Sequence, residues 1–364
     1  MIAAISLAVR PCAALIKKAV RAVDVILHLG AHRTGTTTLQ MFLQANEARL
    51  AQSHIALWTP RLTRAGLFAG LMDTPDRVPL MQNRGRVRAA GRVAMECTRL
   101  ADAGTTTLLV AEENLIGNSR DNLRRGALYP DLRTRLEAMA LPFGRRCTRI
   151  GLSIRSYDSY WASALAYAVA RGHAIPTSAQ LDRLVTHPRR WRELIRDVAK
   201  IFPNADLVIW PFERFAGRAA DELAMLMGGV VPGATVRPEN DWHNPSPRLA
   251  KLREIVSAGG ADRAAQLPAG NGRWMPFDAA QQATLRGKYR EDLQWLRRGA
   301  DGLARLVETA PTNPFAAPAA PDLTEMNHNT RPAATRETSR ARTGTGGQET
   351  WAPRMIGPSA PALN

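Results

Sequence analysis

Residues 25–43 constrain the fold of this chain more than any other stretch. Val25-Ile26-Leu27-His28-Leu29 is an apolar run that reads as a buried strand. Leu39, Phe42, Leu43 and Leu50 then recur at helical spacing. Between the two lies Gly30-Ala31-His32-Arg33-Thr34-Gly35-Thr36-Thr37-Thr38. A strand that turns through glycines into a helix is a place where proteins hold phosphate. The backbone N–H groups of such a loop point inward, and the helix N-terminus adds partial positive charge.

Further along, apolar runs at 106–111, 149–154 and 206–210 join 23–29 as predicted strands of a parallel sheet. Helical patterns separate them. The clearest is Trp191, Leu194, Ile195, Val198 and Ile201, which stops before Pro203. Another carries Leu285, Tyr289, Leu293 and Leu296. Alternating strands and helices predict an α/β sheet with helices on both faces, and ligands of such sheets sit beyond the carboxyl ends of the strands. Three segments with polar chemistry fall at such ends: 30–38, 112–114 and 155–163.

Residues 60–92 are rich in arginine and weakly periodic, and are expected to cross the ligand face as loop and helix. Residues 237–247 read as a second irregular loop. The expected division is an extension over 1–22, a domain over 23–308 and a tail over 309–364. From about Pro311 onward, Pro, Ala, Thr and Gly dominate, a composition that predicts a disordered C-terminal tail.

The charge is lopsided, with 49 basic against 32 acidic residues, or +17. The tail holds five arginines and four acids, so the excess belongs to the domain. Such a field favours anions of many kinds. No nucleic-acid motif is present, and at 6% aromatics the chain is poorly supplied with stacking platforms, so no specific nucleic-acid partner is expected. Cys12, Cys97 and Cys147 form neither a disulfide framework nor a metal spacing. They suit a reducing, cytoplasmic setting.

The apolar stretch Met1–Val9 is too short for a membrane span and lacks the basic start of a signal peptide. Residues 12–23 place Leu15, Ala19 and Ala22 opposite Lys17, Lys18 and Arg21. This is either an amphipathic helix touching a membrane surface or a plain extension before the first strand.

Gly30 and Gly35 stand five apart, the glycine spacing of an ATP-binding Walker loop. That loop needs lysine after the second glycine, and here the residue is Thr36, with the cation earlier, at Arg33. The competing reading is a tight turn whose threonines cap the helix. The run His28-Leu29-Gly30-Ala31-His32-Arg33-Thr34-Gly35-Thr36-Thr37-Thr38-Leu39-Gln40 resembles the 5′-phosphosulfate loop of the sulfotransferases that use 3′-phosphoadenosine 5′-phosphosulfate (PAPS). Their usual core is Lys-Thr-Gly-Thr-Thr or Arg-Ser-Gly-Thr-Thr. The resemblance spans about residues 22–300 and is strongest at the loop. It implies a three-layer, P-loop-type parallel sheet, PAPS as co-substrate and no metal.

Residue by residue, the resemblance implies that Arg33, with Thr34, Gly35, Thr36, Thr37 and Thr38, holds the 5′-phosphosulfate. Arg155 at a strand end and Ser163 eight residues on are similar to the family's 3′-phosphate element. The family's Arg-Asp-Pro is here Arg155-Ser156-Tyr157. An acid at a strand end serves as base toward the acceptor hydroxyl. Glu113 in Val110-Ala111-Glu112-Glu113-Asn114 is the first candidate, Glu112 the second, and His32 and His54 are rivals. A structural acid paired with an arginine is the alternative for either glutamate. The acceptor is expected to bear a hydroxyl, or less readily an amine, on a glycan or lipid. A P-loop nucleotide kinase or NTPase and a non-enzymatic basic protein binding polyanions are the competing functions.

Overall fold

The apolar run that opens the domain forms β1 (Asp24–His28), and the chain passes through residues 29–35 into α1 (Thr36–Ala45). There follow β2 (Ile55–Trp58), α2 (Asn83–Asp102), β3 (Thr107–Ala111) and α3 (Leu132–Phe143). Next come β4 (Cys147–Ile154), α4 (Tyr157–Val169), α5 (Trp191–Ile201) and β5 (Asp206–Pro211). The last elements are α6 (Ala219–Met227), α7 (Ala279–Arg297) and β6 (Arg305–Leu306). The structure is a computed structural model that describes residues 22–72, 83–229 and 245–309. The expectations for the N-terminal extension, for 73–82, for most of the 237–247 loop and for the tail lie outside the described residues.

The six strands make one sheet in the order β2-β3-β1-β4-β5-β6. Every neighbouring pair is parallel. The α/β class predicted from the alternation is therefore the observed one. The four predicted strands correspond to β1, β3, β4 and β5, with β4 starting two residues early, at Cys147. The two strands that the pattern did not predict, β2 and β6, are the sheet edges. In the central register His28 lies beside Ala111 of β3 and Gly151 of β4. The segments leaving β1, β3 and β4 thus emerge side by side.

Strand parity sorts the core into two layers. Val25, Leu27 and Leu29 face one side with α2, α3, α4 and α5. Ile26 faces the other, with Leu39, Phe42 and Leu43 of α1 and Leu223 and Leu226 of α6. The predicted stripe of α5 is the best defined: Trp191, Leu194, Ile195 and Val198 are all fully buried. Side chains of that kind stabilise by about 1.5–3 kcal/mol each on burial. Gly151 lets α6 approach the sheet closely. A Cβ there would lie 2.8 Å from the Trp210 ring and would collide with Leu226.

Two titratable groups are buried in the α1–α6 layer against the same indole. His28 stacks on Trp210 with ring centroids 5.8 Å apart and planes 10° apart. The Trp210 Nε1–H donates to Glu222 Oε1 at 3.4 Å. Burial pushes His28 down to about 4, a little relieved by the Glu113 charge. Burial pushes Glu222 up to about 8, with Asp221 adding to the rise and the indole bond opposing it. Both groups are therefore neutral near pH 7.

Candidate functional site

The loop after β1 is held by β4, which runs on past it. Leu29 N–H donates to Gly151 O and Ala31 N–H to Ser153 O, both at 3.0 Å, and Ser153 N–H donates back to Gly30 O at 2.6 Å. Thr34 Oγ1 closes the loop on Ala31 O at 2.7 Å. Gly35 then takes the left-handed conformation (φ 80°) and is the N-cap of α1, with no side-chain cap. The threonines do not cap the helix as the tight-turn reading requires. Thr36, Thr37 and Thr38 are its first turn, and that turn contains no acid. A helix start without a carboxylate does not neutralise its own partial positive charge.

Arg33 also sits at positive φ, 64°, unusual for a side chain of its size. Its Nε donates to Ser163 Oγ at 3.0 Å and its Nη2 to Ser246 Oγ at 2.9 Å. The two hydroxyls are 2.6 Å apart. The guanidinium lies 4.7 Å from the Tyr167 ring centroid, and Arg171 covers the same ring at 3.4 Å. Burial lowers the pKa of Arg33, Arg171 adds to the fall, and Tyr167 works against it.

Arg155 and Ser163 were expected to act as a pair, and they are joined through Arg33. Arg155 Nη1 donates to Arg33 O at 2.7 Å and its Nε to Ser159 Oγ at 3.1 Å. Its guanidinium lies on the Phe212 ring, and Trp191 Nε1–H holds its carbonyl. Burial pulls Arg155 down to about 10, helped by Arg273 and opposed by Glu213. Arg155 thus buttresses the loop from below, while Ser163 meets its cation from α4.

The two glutamates after β3 have different surroundings. Glu112 is fully buried. It accepts from Thr63 Oγ1 at 2.6 Å, from Arg64 Nη2 at 2.6 Å and Nε at 3.0 Å, and from Asn114 N–H at 3.0 Å. It caps the short helix Glu113–Ile116. That is the structural-acid arrangement, and it uses up the acid that a metal-nucleotide reading would need. Glu113 lies against the loop, where a Cβ on Gly30 would come within 2.9 Å of its own Cβ. Gln40 Nε2 donates to Glu113 Oε2 at 2.5 Å, and Arg64 Nη2 to Oε1 at 3.0 Å. Burial raises the Glu113 pKa. His32, a backbone N–H, Arg64 and Gln40 outweigh it, and the carboxyl ends below its ordinary value.

His32 is tied on three sides. Its N–H donates to Tyr129 Oη at 2.8 Å, Nδ1 lies 3.1 Å from the same oxygen, and Nε2 faces the Asn114 amide at 3.0 Å. The Asn114 amide is satisfied with its nitrogen donating to Nε2 and its oxygen accepting from Arg64. This makes Nδ1–H the donor to Tyr129. Burial keeps His32 below its ordinary pKa, against the pull of Glu113. His54 immediately precedes β2, at the amino edge of the sheet, and is exposed. It is therefore remote from the loop and drops out as a base.

Ser159, Tyr167, Ser246, Gln40, Arg64 and Asn114 belong to this cluster and were not singled out in the sequence. Ser159 and Tyr167 flank Ser163 at helical i±4 spacing, a signal that was available. Arg135 is also new. It is buried in α3 and donates to Met72 O and Asn114 O, both at 2.6 Å, tying the 60–72 segment to the Glu112–Asn114 turn. Among the described residues no group of three or more His, Cys, Asp or Glu side chains could hold a metal ion. No helix among them is long and apolar enough to cross a membrane. Comparison with protein-family models gives no match, and comparison with curated proteins gives none.

Proposed function

We propose that this chain moves a sulfuryl group from PAPS to a hydroxyl, or less readily an amine, of an acceptor. The observation that carries the reading is the Arg33–Ser163 hydrogen bond at 3.0 Å. It brings the displaced cation of the loop onto the serine of the segment that resembles the 3′-phosphate element, directly above Arg155. Two sequence segments that share only a resemblance meet at one residue, Ser163 on its guanidinium and Arg155 on its backbone carbonyl.

In this reading the N–H groups of the first turn of α1, with Thr34 to Thr38 and Arg33, receive the 5′-phosphosulfate. Ser163 receives the 3′-phosphate, with Arg155 supporting the loop beneath it. Preorganised donors and cations stabilise charge as it gathers on the leaving oxygen. Glu113 takes the acceptor's proton as the acceptor oxygen bonds to sulfur and the bond from sulfur to the phosphate oxygen breaks. A carboxylate held ionised beside the loop suits that task, since a base must already be deprotonated. No residue cluster commits the acceptor, and a glycan or lipid hydroxyl remains the proposed class.

Calorimetry with 3′-phosphoadenosine 5′-phosphate, AMP and ATP–Mg²⁺ tests the reading. Binding of the 3′-phosphorylated nucleotide is expected at least about tenfold tighter than AMP, or about 1.4 kcal/mol. Equal affinities for the two would remove the 3′-phosphate site, and tighter binding of ATP–Mg²⁺ would turn the reading toward an NTPase.

A further inference from the structure

Arg64 is a cation that neither the loop pattern nor the strand pattern points to, yet it is the group that touches both glutamates. It stands on a π-helical turn, Thr63–Leu67, whose Gly66 has φ 118°. Such turns recur at functional positions. The turn is fixed from several sides. Thr63 Oγ1 donates to Glu112, and Arg92 of α2 donates to Ala69 O at 2.7 Å. Arg64 itself lies in a fork on Glu112, whose side chain is fully buried. Its Nη2 also spans to Glu113, which is nearly buried. Neither N–H of its Nη1 is donated to a described residue, and the side chain is 43% exposed.

We propose that Arg64 is a positioning residue for Glu113: anchored on the buried Glu112, its guanidinium holds Glu113 as a charged carboxylate aimed at the rim of the glycine–threonine loop. The two donors divide the work. Gln40, reaching from the first turns of α1, takes Oε2, and Arg64 takes Oε1. With a side-chain donor on each oxygen the carboxylate plane is set. A planar guanidinium presents its donors in a rigid fork, which the freely turning donors of an ammonium do not. The charged and titratable groups that face Glu113 are Arg64 from the π turn, Glu112 beside it and His32 from the loop, with His28 and Tyr129 behind. Burial lowers the His32 pKa, against the pull of Glu113. Arg64 is the arginine in this set, and a guanidinium stays charged wherever a carboxylate titrates. Glu112 is the buried counter-ion that keeps Arg64 from swinging away.

The role as aid to a base rests on the proposed sulfuryl transfer, whereas the Arg64–Glu113 coupling does not, and the experiment separates them. The full chain is labelled with ¹³Cδ-glutamate and titrated by NMR, with Glu113→Gln to assign the Glu113 signal. In the wild type the signal should titrate below the ordinary carboxylate value. In Arg64→Gln the midpoint should rise by about one pH unit or more, a tenfold or greater gain in proton affinity, because the permanent cation that opposes burial is then gone. A midpoint unchanged to within about 0.3 of a pH unit would overturn the proposal. Arg64→Gln leaves Glu112 buried without its cation. If it does not fold, Arg64→Gln/Glu112→Gln keeps the Asn114 N–H on the amide oxygen and lets the amide nitrogen donate to Thr63 Oγ1, and the same rise is required. Sulfate release from PAPS is followed against pH in parallel. Its acid limb should move up by the same amount in Arg64→Gln. A chain that neither binds nor hydrolyses PAPS refutes the sulfuryl reading and leaves the carboxylate titration to judge Arg64.

Discussion

Replacing Glu222 by Gln should remove a pH dependence of stability that no surface charge explains. Glu222 is buried on α6 beneath the Trp210 indole, and its pKa is pushed up to about 8 from 4.5. Between these values the unfolded chain has released a proton that the folded chain keeps. The unfolded state then binds fewer protons, so stability falls as pH rises. The contribution is complete below pH 4.5 and is lost by about pH 8. His28 works in the other sense. Its pKa is pushed down to about 4 from 6.5, so its contribution is present above 6.5 and lost as pH falls toward 4. From 4.5 to 6.5 the two slopes oppose each other, and above 6.5 only Glu222 remains. At about 1.4 kcal/mol per pH unit, Glu222 removes about 2 kcal/mol between pH 6.5 and 8. Urea unfolding of wild type and Glu222→Gln at half-unit steps from pH 4 to 9 measures this. Glutamine keeps the acceptor for Trp210 Nε1 and cannot ionise. The difference between the two unfolding free energies should change by about 2 kcal/mol across that window, and by about 5 kcal/mol from pH 4.5 to 8. Parallel curves would show that Glu222 is ionised in the folded state, and the burial argument would fail.

Arg33→Ala should slow PAPS turnover by on the order of a hundredfold with the fold intact, and Arg33→Lys should retain much of the rate, since both supply a cation at developing charge. Normal sulfate release from Arg33→Ala would refute the assignment of the loop. Glu113→Gln should lower turnover about a hundredfold while binding of 3′-phosphoadenosine 5′-phosphate, read by calorimetry, stays nearly the same. Gly151→Ala should destabilise by about 1–3 kcal/mol or more, because its methyl meets Trp210 and Leu226 in a packed layer. An unchanged urea midpoint would mean that α6 yields freely.

The strands that were legible are those buried on both faces, where the code is a plain apolar run: β1, β3, β4 and β5. Edge strands lack that code. Ile55–Trp58 is four residues set close after a helix, and Arg305–Leu306 is two residues with an exposed arginine. At the site, glycines and threonines announced the loop because its chemistry is local. Which glutamate is structural is also written in the sequence, in strand parity. Glu112 shares strand parity with Leu108 and Val110, which face the α2–α3 layer, whereas Glu113 follows Leu109 and Ala111 toward α1. Arg64 and Ser246 could not be found in this way. They meet Glu112 and Arg33 across 48 and 213 residues, and nothing local separates Arg64 from its many arginine neighbours.

The placement of β1 between β3 and β4 has a consequence for the order in which a ribosome can deliver this site. The loop is among the first described segments to be synthesised, yet its supports come later in the chain. Glu113 follows the end of β1, and Ser153 and Arg155 come only with β4. Domains generally fold as units, and pairings distant in sequence are slow to close. A nascent chain ending near residue 170 holds β1, β3, β4 and Ser163, enough to fix Arg33 Nε. The second hydroxyl, Ser246, arrives 83 residues after Ser163. The first chemistry written is the last to be finished, and a stalled chain carries the loop without the complete seat for its cation.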